Sequence, residues 1–394
     1  MTSIVFVDDE QRVLDGLRRL LRPMRRQWEM EFIDDPQEAL DRIDDEPFDI
    51  VVTDMRMPHL DGLAVLERVK EKHPDMVRFV LSGHTDLESS LRMTGLAHQF
   101  LAKPCDPEHL KLVVTRASLL REKLRSESLL KLVSGISALP SRPEVVAELM
   151  TLVESPNSAL SEIGAVIARD PGMTAKVLQL VNSSFFGLRR RVTDPVQAVS
   201  FVGLDNLVAL VLGDHLFTEL DAVSEAGVDV AAMHDLTTAV AVGARAIAAA
   251  EGLDREIHPE YFLAGMLHDA GQLVMAANFP DRYRNVLASE GPPLDAERAE
   301  FGATHEDVGA YLIGLWGLPD TVVEAAAFHH DPSPTPASGL TPVTAVHVAR
   351  AAVTGDESAL DWDYLRGIGV EDRVSDWMEV AARAASSDEG EEAA

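Results

Sequence analysis

The sequence predicts two domains of different class: an α/β domain with a parallel sheet, then an all-α region. Three observations carry this. Five short, apolar, β-branched runs recur in the first 105 residues with helical patterns between them. From Pro140 onward the strand pattern stops and amphipathic helical segments replace it. A chain of 394 residues also exceeds one ordinary core and suits two or three domains.

The strand runs are Ile4–Val7, Met30–Ile33, Ile50–Thr53, Val77–Leu81 and Gln99–Ala102. Helical spacing fills the gaps, as in Val13, Leu14, Leu17, Leu20 and Leu21, and again in Leu63, Val65, Leu66 and Val69. Strands alternating with helices imply a parallel sheet covered on both faces. Such sheets carry their working residues at the C-terminal strand ends. Asp8 and Asp9 end the first run, Asp54 the third, Ser82 the fourth and Lys103 the fifth. Three carboxylates converging on one crevice repel each other unless a hard cation neutralises them, and Mg²⁺ with oxygen ligands fits. A lysine and a hydroxyl beside them suit an incoming phosphoryl group, one neutralising charge and the other donating a hydrogen bond. Surface charge would explain any one of these residues, but not all five at the correct strand ends.

The strings VDDE at 7–10, TDMRMPHLDG at 53–62, LSGH at 81–84 and FLAKP at 100–104 resemble the response-regulator receiver family. The resemblance covers about the first 120 residues and implies a flavodoxin-like sheet of order 2-1-3-4-5. By that resemblance Asp54 is the phosphoacceptor. Asp8, Asp9 and Asp54 hold Mg²⁺, with the Arg56 backbone carbonyl as a further ligand. Ser82 contacts the phosphoryl group, Lys103 pairs with it, and Phe100 takes the switch-aromatic position. The Lys103-Pro104 bond is expected to be cis, and Pro58 and Gly62 fit the loop after the acceptor. A sensor histidine kinase is the implied phosphodonor.

Residues 106–133 read as a helical connector. Asp106-Pro107 is a helix start, and Leu110, Val113, Val114, Ala117, Leu120 and Leu124 keep helical spacing. The first half reads as the last helix of the α/β domain. The second half stands open between a signalling helix and a short coiled coil that would make a homodimer. The expected boundaries are 1–121 for the receiver, 122–133 for the linker, 134–385 for the helical domain and 386–394 for a disordered acidic tail. The helical domain divides further into 134–220 and 228–385.

In that domain, helical patterns cover 143–154, 159–168, 172–183, 195–201, 205–219, 228–250, 260–277, 295–315 and 319–328. Ser155-Pro156, Asp170-Pro171, Gly187 and Gly203 punctuate them. His234, His268, His305, His329, His330 and His347 all fall on or at the ends of these segments. One histidine on an apolar helix is usually a core or capping residue. Several, with Asp269 following His268, suggest a divalent or dinuclear site of nitrogen and carboxylate ligands. Spacing alone leaves both readings open.

LHDAGQL at 267–273 is similar to the signature of the HD metal-dependent phosphohydrolase superfamily. LPSRPEVV at 139–146, ARDPGMTAKVLQLVNSSFFG at 168–187 and FGATHEDVGAYLIGLWGLP at 301–319 resemble its HDOD branch. The resemblance covers essentially all of 134–350. It places His234, His268, Asp269, His305 and His329 or His330 where HD-type enzymes hold a divalent transition metal. Two departures count against catalysis. The late string reads His347-Val348-Ala349-Arg350, so an arginine, which would repel a cation, replaces the usual aspartate. No Gly-Tyr-Pro segment follows His329-His330, which argues against cyclic di-GMP hydrolysis. HDOD domains resemble interaction modules more than enzymes. Asp170-Pro171-Gly172 and the Asn182–Gly187 stretch read as a helix start and a helix end, and Trp316 and Leu318 as core anchors.

Composition narrows the classes further. The chain carries 35 Lys+Arg against 65 Asp+Glu, a net charge of −30, which repels phosphate backbones and disfavours nucleic acid. No basic recognition helix is present, so a transcription factor is excluded. No apolar run spans a membrane, and MTSIVFVDDE does not read as a signal peptide. Cys105 is the sole cysteine, which agrees with a reducing cytoplasm. The sequence therefore supports a cytoplasmic phosphorelay protein acting through an unidentified downstream partner. The alternative is a receiver-gated, metal-dependent phosphohydrolase of a nucleotide or second messenger.

Overall fold

The computed structural model describes residues 1–46, 48–82, 96–103, 106–123, 133, 136, 139–155, 158–182, 186, 188, 190–204, 207, 229–336 and 339–392. The N-terminal part alternates β1 (Thr2–Val7), α1 (Gln11–Leu20), β2 (Trp28–Ile33), α2 (Pro36–Asp45), β3 (Ile50–Asp54), α3 (Gly62–Lys72), β4 (Val77–Ser82), β5 (Gln99–Ala102) and α4 (Pro107–Lys123). All pairings are parallel and the strand order is β2-β1-β3-β4-β5, as the resemblance implies. The strands are apolar on both sides because helices cover both faces. Ile4, Phe6, Ile50, Val52, Phe79 and Leu81 pack on one face with Leu14, Leu17 and Leu110. Val5, Val7, Val51 and Val80 pack on the other with Ile43, Val65 and Leu66. Short polar side chains start the helices. Asp35 accepts from the Gln37 and Glu38 amides, and Asp61 accepts from Ala64.

The order reverses between β1 and β3. Chain segments leave to opposite sides there and open a crevice beyond the C-terminal strand ends. The five expected site residues all lie at that edge of the sheet.

The rest is helical: α5 (Pro143–Glu154), α6 (Leu160–Ile167), α7 (Pro171–Val181), α8 (Pro195–Val202), α9 (Val230–Ala250), α10 (His258–Leu267), α11 (Ala270–Asn278), α12 (Pro280–Ala288), α13 (Pro293–Phe301), α14 (His305–Leu315), α15 (Asp320–Phe328), α16 (Pro342–Thr354), α17 (Trp362–Gly367) and α18 (Val374–Glu392). Asp170 opens α7 and is wholly buried. It accepts from the Met173 and Arg142 amides and the Ser141 hydroxyl, so one carboxylate fixes the start of α7 and the approach to α5. The long α9 packs against α10, α16 and α18. Trp377 of α18 is buried, and its indole N–H donates to Glu251 at the end of α9. One apolar core runs without interruption from the α1/α4 face of the sheet into the helical part, through Leu110 and Val113 to Leu312 and Leu315.

Three expectations on helices change. The single helix expected over 260–277 is two, because Asp269 (φ −98°, ψ 15°) leaves helical geometry and starts α11. The one expected over 295–315 is also two, divided by Gly302 in the left-handed region. The acidic end expected to be disordered is helical as far as Glu392. The alanine-rich Ala381–Ala385 stretch favours propagating α18 into it. Most of the 205–219 helix, residues 124–132 of the connector, Pro104 and Cys105 lie outside the described residues. Among the described residues no helix is long and apolar enough to cross a membrane.

Candidate phosphoacceptor and metal sites

At the sheet edge, Asp8 is wholly buried and Asp54 is 8 % exposed. Lys103 Nζ lies 2.7 Å from Asp8 Oδ2 and 2.7 Å from Asp54 Oδ1. Backbone amides complete the carboxylates, with Met55 donating to Asp54 Oδ1 at 2.8 Å and Glu10 to Asp8 Oδ1 at 3.0 Å. Asp8, Asp9 and Asp54 each offer an oxygen within 4.8 Å of the others, a set suited to a hard cation. Burial pushes the Asp54 carboxyl above its usual range, against the lowering effect of Lys103. Burial pulls Lys103 down, but its bonds to Asp54 and Asp8 outweigh that and leave it raised. Phe100 is buried among the apolar residues of the α2/α3 face. Ser82 ends β4 opposite Ala102 of β5, and its side chain lies outside the described residues. The Arg56 side chain is exposed, two residues past Asp54.

The second group lies inside the helical part. Thr304 caps α14, accepting from Asp307 N, while Asp307 accepts from Thr304 N. This box holds His305 at the first helical position. His305 Nε2 lies 3.3 Å from Asp269 Oδ1 and 3.3 Å from His329 Nε2, and His329 Nε2 is 3.2 Å from the same Asp269 oxygen. His330 completes a set of four side chains whose ligating atoms lie within 4.8 Å of one another. Metal–nitrogen distances of about 2 Å in a tetrahedral site place two ligands roughly 3.3 Å apart. The observed spacings therefore fit a single ion. His330 Nε2 is buried without a hydrogen-bond partner, as a ligating atom facing an ion would be. Three imidazoles and one carboxylate suit a borderline transition metal better than Mg²⁺.

The surroundings set the charges. Three histidine neighbours overcome burial and hold Asp269 ionised, well below the usual carboxylate range. Burial works against charge on His305, yet its bonds to Asp269 and Glu297 raise it to about 10. Burial lowers His329 to about 3. Burial also lowers His330, assisted by His329 and by Arg350. Gly271 permits the close packing, because a Cβ there would meet the His305 carbonyl oxygen at 1.9 Å.

His268 stands beside the group, with Nε2 3.2 Å from Asp269 Oδ2 and its ring 4.9 Å from His329. His234 is set apart, buried 3.9 Å from Asp170 at the start of α7. His347 is structural. It bonds the His329 carbonyl through Nδ1 and accepts from Asp361 N through Nε2. Sequence reasoning missed Glu297 and Glu306. Glu297 is wholly buried and accepts from His305 N at 2.7 Å and from His305 Nδ1 at 2.8 Å, which turns Nε2 toward Asp269. Glu306 accepts from His330 N, and burial raises it to about 7. Glu297 stands in PLDAERAEF, which reads as an ordinary solvated helix, so no local signal marked it.

Comparison with known proteins agrees with both halves. Residues 4–115 match the family model described as response regulator receiver domain, and residues 139–332 match the HDOD domain model. An uncharacterized protein of Treponema pallidum is 29% identical over 202 residues, which is 50% of this chain and 38% of that protein. The hydrogenase transcriptional regulatory protein HoxA of Cupriavidus necator is 36% identical over 117 residues, 29% of this chain and 24% of HoxA. The chain thus spans well under half the length of these relatives. The MmoQ response regulator of Methylococcus capsulatus aligns with 62% of this chain and 98% of its own, at 23% identity and a TM-score of 0.49.

The raised Asp54 carboxyl gives a stability prediction. Its folded pKa lies above the unfolded value, so ionisation costs stability once the pH passes the unfolded value, and the cost is absent below it. Asp54→Asn is expected to raise the thermal midpoint of the receiver at pH 7 without Mg²⁺, with a smaller gain at pH 4. Circular dichroism melts that show an equal or lower midpoint at pH 7 would refute this.

Proposed function

We propose that this chain, which joins a receiver domain to an HDOD domain, is a response regulator in which phosphoryl transfer to Asp54 controls the contacts made by its HDOD domain. The observation that carries this is Lys103 bridging Asp8 and Asp54 at the C-terminal edge of the sheet. A sensor histidine kinase presents a phosphohistidine. An Asp54 carboxylate oxygen attacks phosphorus in line, the N–P bond breaks, and the imidazole leaves with the bonding pair. Mg²⁺, when bound, neutralises charge on the phosphoryl oxygens. Asp8, Asp9, Asp54 and the Arg56 carbonyl would hold it. Lys103 moves its charge from the carboxylates to the new phosphoryl group, Ser82 donates a hydrogen bond to it, and Phe100 responds to the change.

The output we propose is a changed protein contact. Arg350 in α16 stands where the HD resemblance expects an acidic ligand, so the site lacks one anionic ligand, and its charge adds to the burial and the His329 neighbour that lower His330. A homodimer through 106–133 belongs to the same reading. Leu112 and Leu119 lie exposed seven residues apart on α4, the face a coiled-coil partner would cover. A metal-dependent phosphohydrolase is the second reading, favoured by the convergence of Asp269, His305, His329 and His330, the last with a buried, unpartnered Nε2.

Two experiments test these readings. Acetyl phosphate with Mg²⁺ is expected to add one phosphoryl group to the wild-type chain, and Asp54→Asn is expected to abolish it by intact-mass measurement. Undiminished labelling of Asp54→Asn would refute the acceptor. Protein purified without chelator is expected to hold about one equivalent of transition metal in the HDOD domain. Glu297→Gln is expected to weaken that binding by about 10- to 100-fold. Less than about a tenth of an equivalent in the wild type would remove both the metal and the hydrolase reading.

A further inference from the structure

Two helices run from the histidine site to the receiver and meet it at the first residue of β5 and at α4. α14 starts with His305 in the histidine group and ends at Leu315 against the receiver. There the Gln99 side-chain amide donates to the carbonyls of Leu315 at 2.8 Å and Gly314 at 3.4 Å. These are terminal carbonyls that the helix itself leaves with spare acceptor capacity. Gly317, at φ +74°, leaves room for that amide, because a Cβ there would meet Gln99 at 2.9 Å. α15 repeats the arrangement with its ends reversed. Asp320 at its start pairs with Arg116 of α4 at 2.8 Å, and His329 caps its far end inside the histidine group. A further bond, from the Gln179 side-chain amide of α7 to the His98 carbonyl at 3.0 Å, holds the residue just before β5.

Gln99 and His98 belong to the segment that leads into Lys103. β5 runs Gln99–Ala102 and its next residue is the lysine bridging Asp8 and Asp54. An α-helix of 11 residues is a rod about 16 Å long, and a close-packed core transmits displacement because it has no slack. α4 and α14 are packed directly on one another within the continuous apolar core.

We propose that the phosphoacceptor site and the histidine metal site are coupled in both directions through α14 and α15. The coupling contacts are Gln99 on the end of α14 and Arg116 on the start of α15. The proposal rests on the function proposed above and adds its route. The histidine group is assembled here with Lys103 on Asp54 and Asp8. Drawing Lys103 onto a phosphoryl group pulls β5, loosens the Gln99 bonds, and shifts His305 and His329 out of register. Phosphorylation therefore weakens metal binding, and by linkage bound metal weakens the phosphorylated state by the same factor.

The test uses the full chain, Co²⁺ as the probe of the histidine site, and beryllofluoride with saturating Mg²⁺ as the phosphoryl mimic. Co²⁺ affinity is read from its ligand-field absorption. The expected result is at least about 5-fold weaker Co²⁺ binding with beryllofluoride. In Gln99→Leu and in Asp320→Asn the ratio is expected to fall toward one, while acetyl-phosphate labelling of Asp54 stays at the wild-type level. Tight Co²⁺ binding with normal Asp54 labelling but a ratio of one in the wild type overturns the coupling and leaves the receiver function standing. An unchanged ratio in both variants overturns the route. No Co²⁺ binding in either state overturns the coupling together with the metal site.

Discussion

A buried carboxylate needs positive charge or hydrogen-bond donors around it, and that constraint organises both halves of this molecule. At the sheet edge Asp8 and Asp54 are satisfied by one lysine and two backbone amides. In the helical part Asp269 is ringed by three imidazoles, and Glu297 takes the far side of one of them. Asp170 satisfies the same need with amides and a hydroxyl, and the result is a helix cap. The first two arrangements leave ligating atoms that face each other across a small space, while the third saturates its carboxylate. That difference separates sites with chemistry from structural ones.

The two sites also differ in the ion they suit. Asp8, Asp9 and Asp54 are hard oxygen donors at a solvent-reached edge. Asp269, His305, His329 and His330 are mixed donors deep in a core. Lys103 and Arg350 each bring a positive charge to a candidate metal group. In the proposed function Lys103 serves the phosphoryl chemistry, and the Arg350 cation near His330 weighs against a hydrolase.

The strand-end residues were legible in the sequence because short, continuous apolar and β-branched runs, buried on both faces, stop where the strand ends. Ile50–Thr53 was read and Ile50–Asp54 observed, so Asp54 fell in place. The histidine half was legible only in part. His305 and His329 meet because α14 and α15 pack side by side, a tertiary fact that helical periodicity does not encode. The break at Asp269 looked like continuous helix, since LAGMLHDAGQLV has no proline and its Gly265 and Gly271 leave the apolar helical spacing intact on both sides. Glu297 was invisible because a buried glutamate is identified by its partner, eight residues away in another helix. Contacts such as Gln99 to Leu315 join residues more than two hundred positions apart, and no local pattern announces them.

The proposed coupling carries a change at Asp54 to the histidine group through α14 and α15. Amide hydrogen exchange of the full chain, with and without beryllofluoride, reads it out along both helices. Altered exchange is expected in the receiver and also along 305–315 and 320–329, including the ends distant from the receiver. Altered exchange confined to residues 1–123, with both helices unchanged, would contradict it.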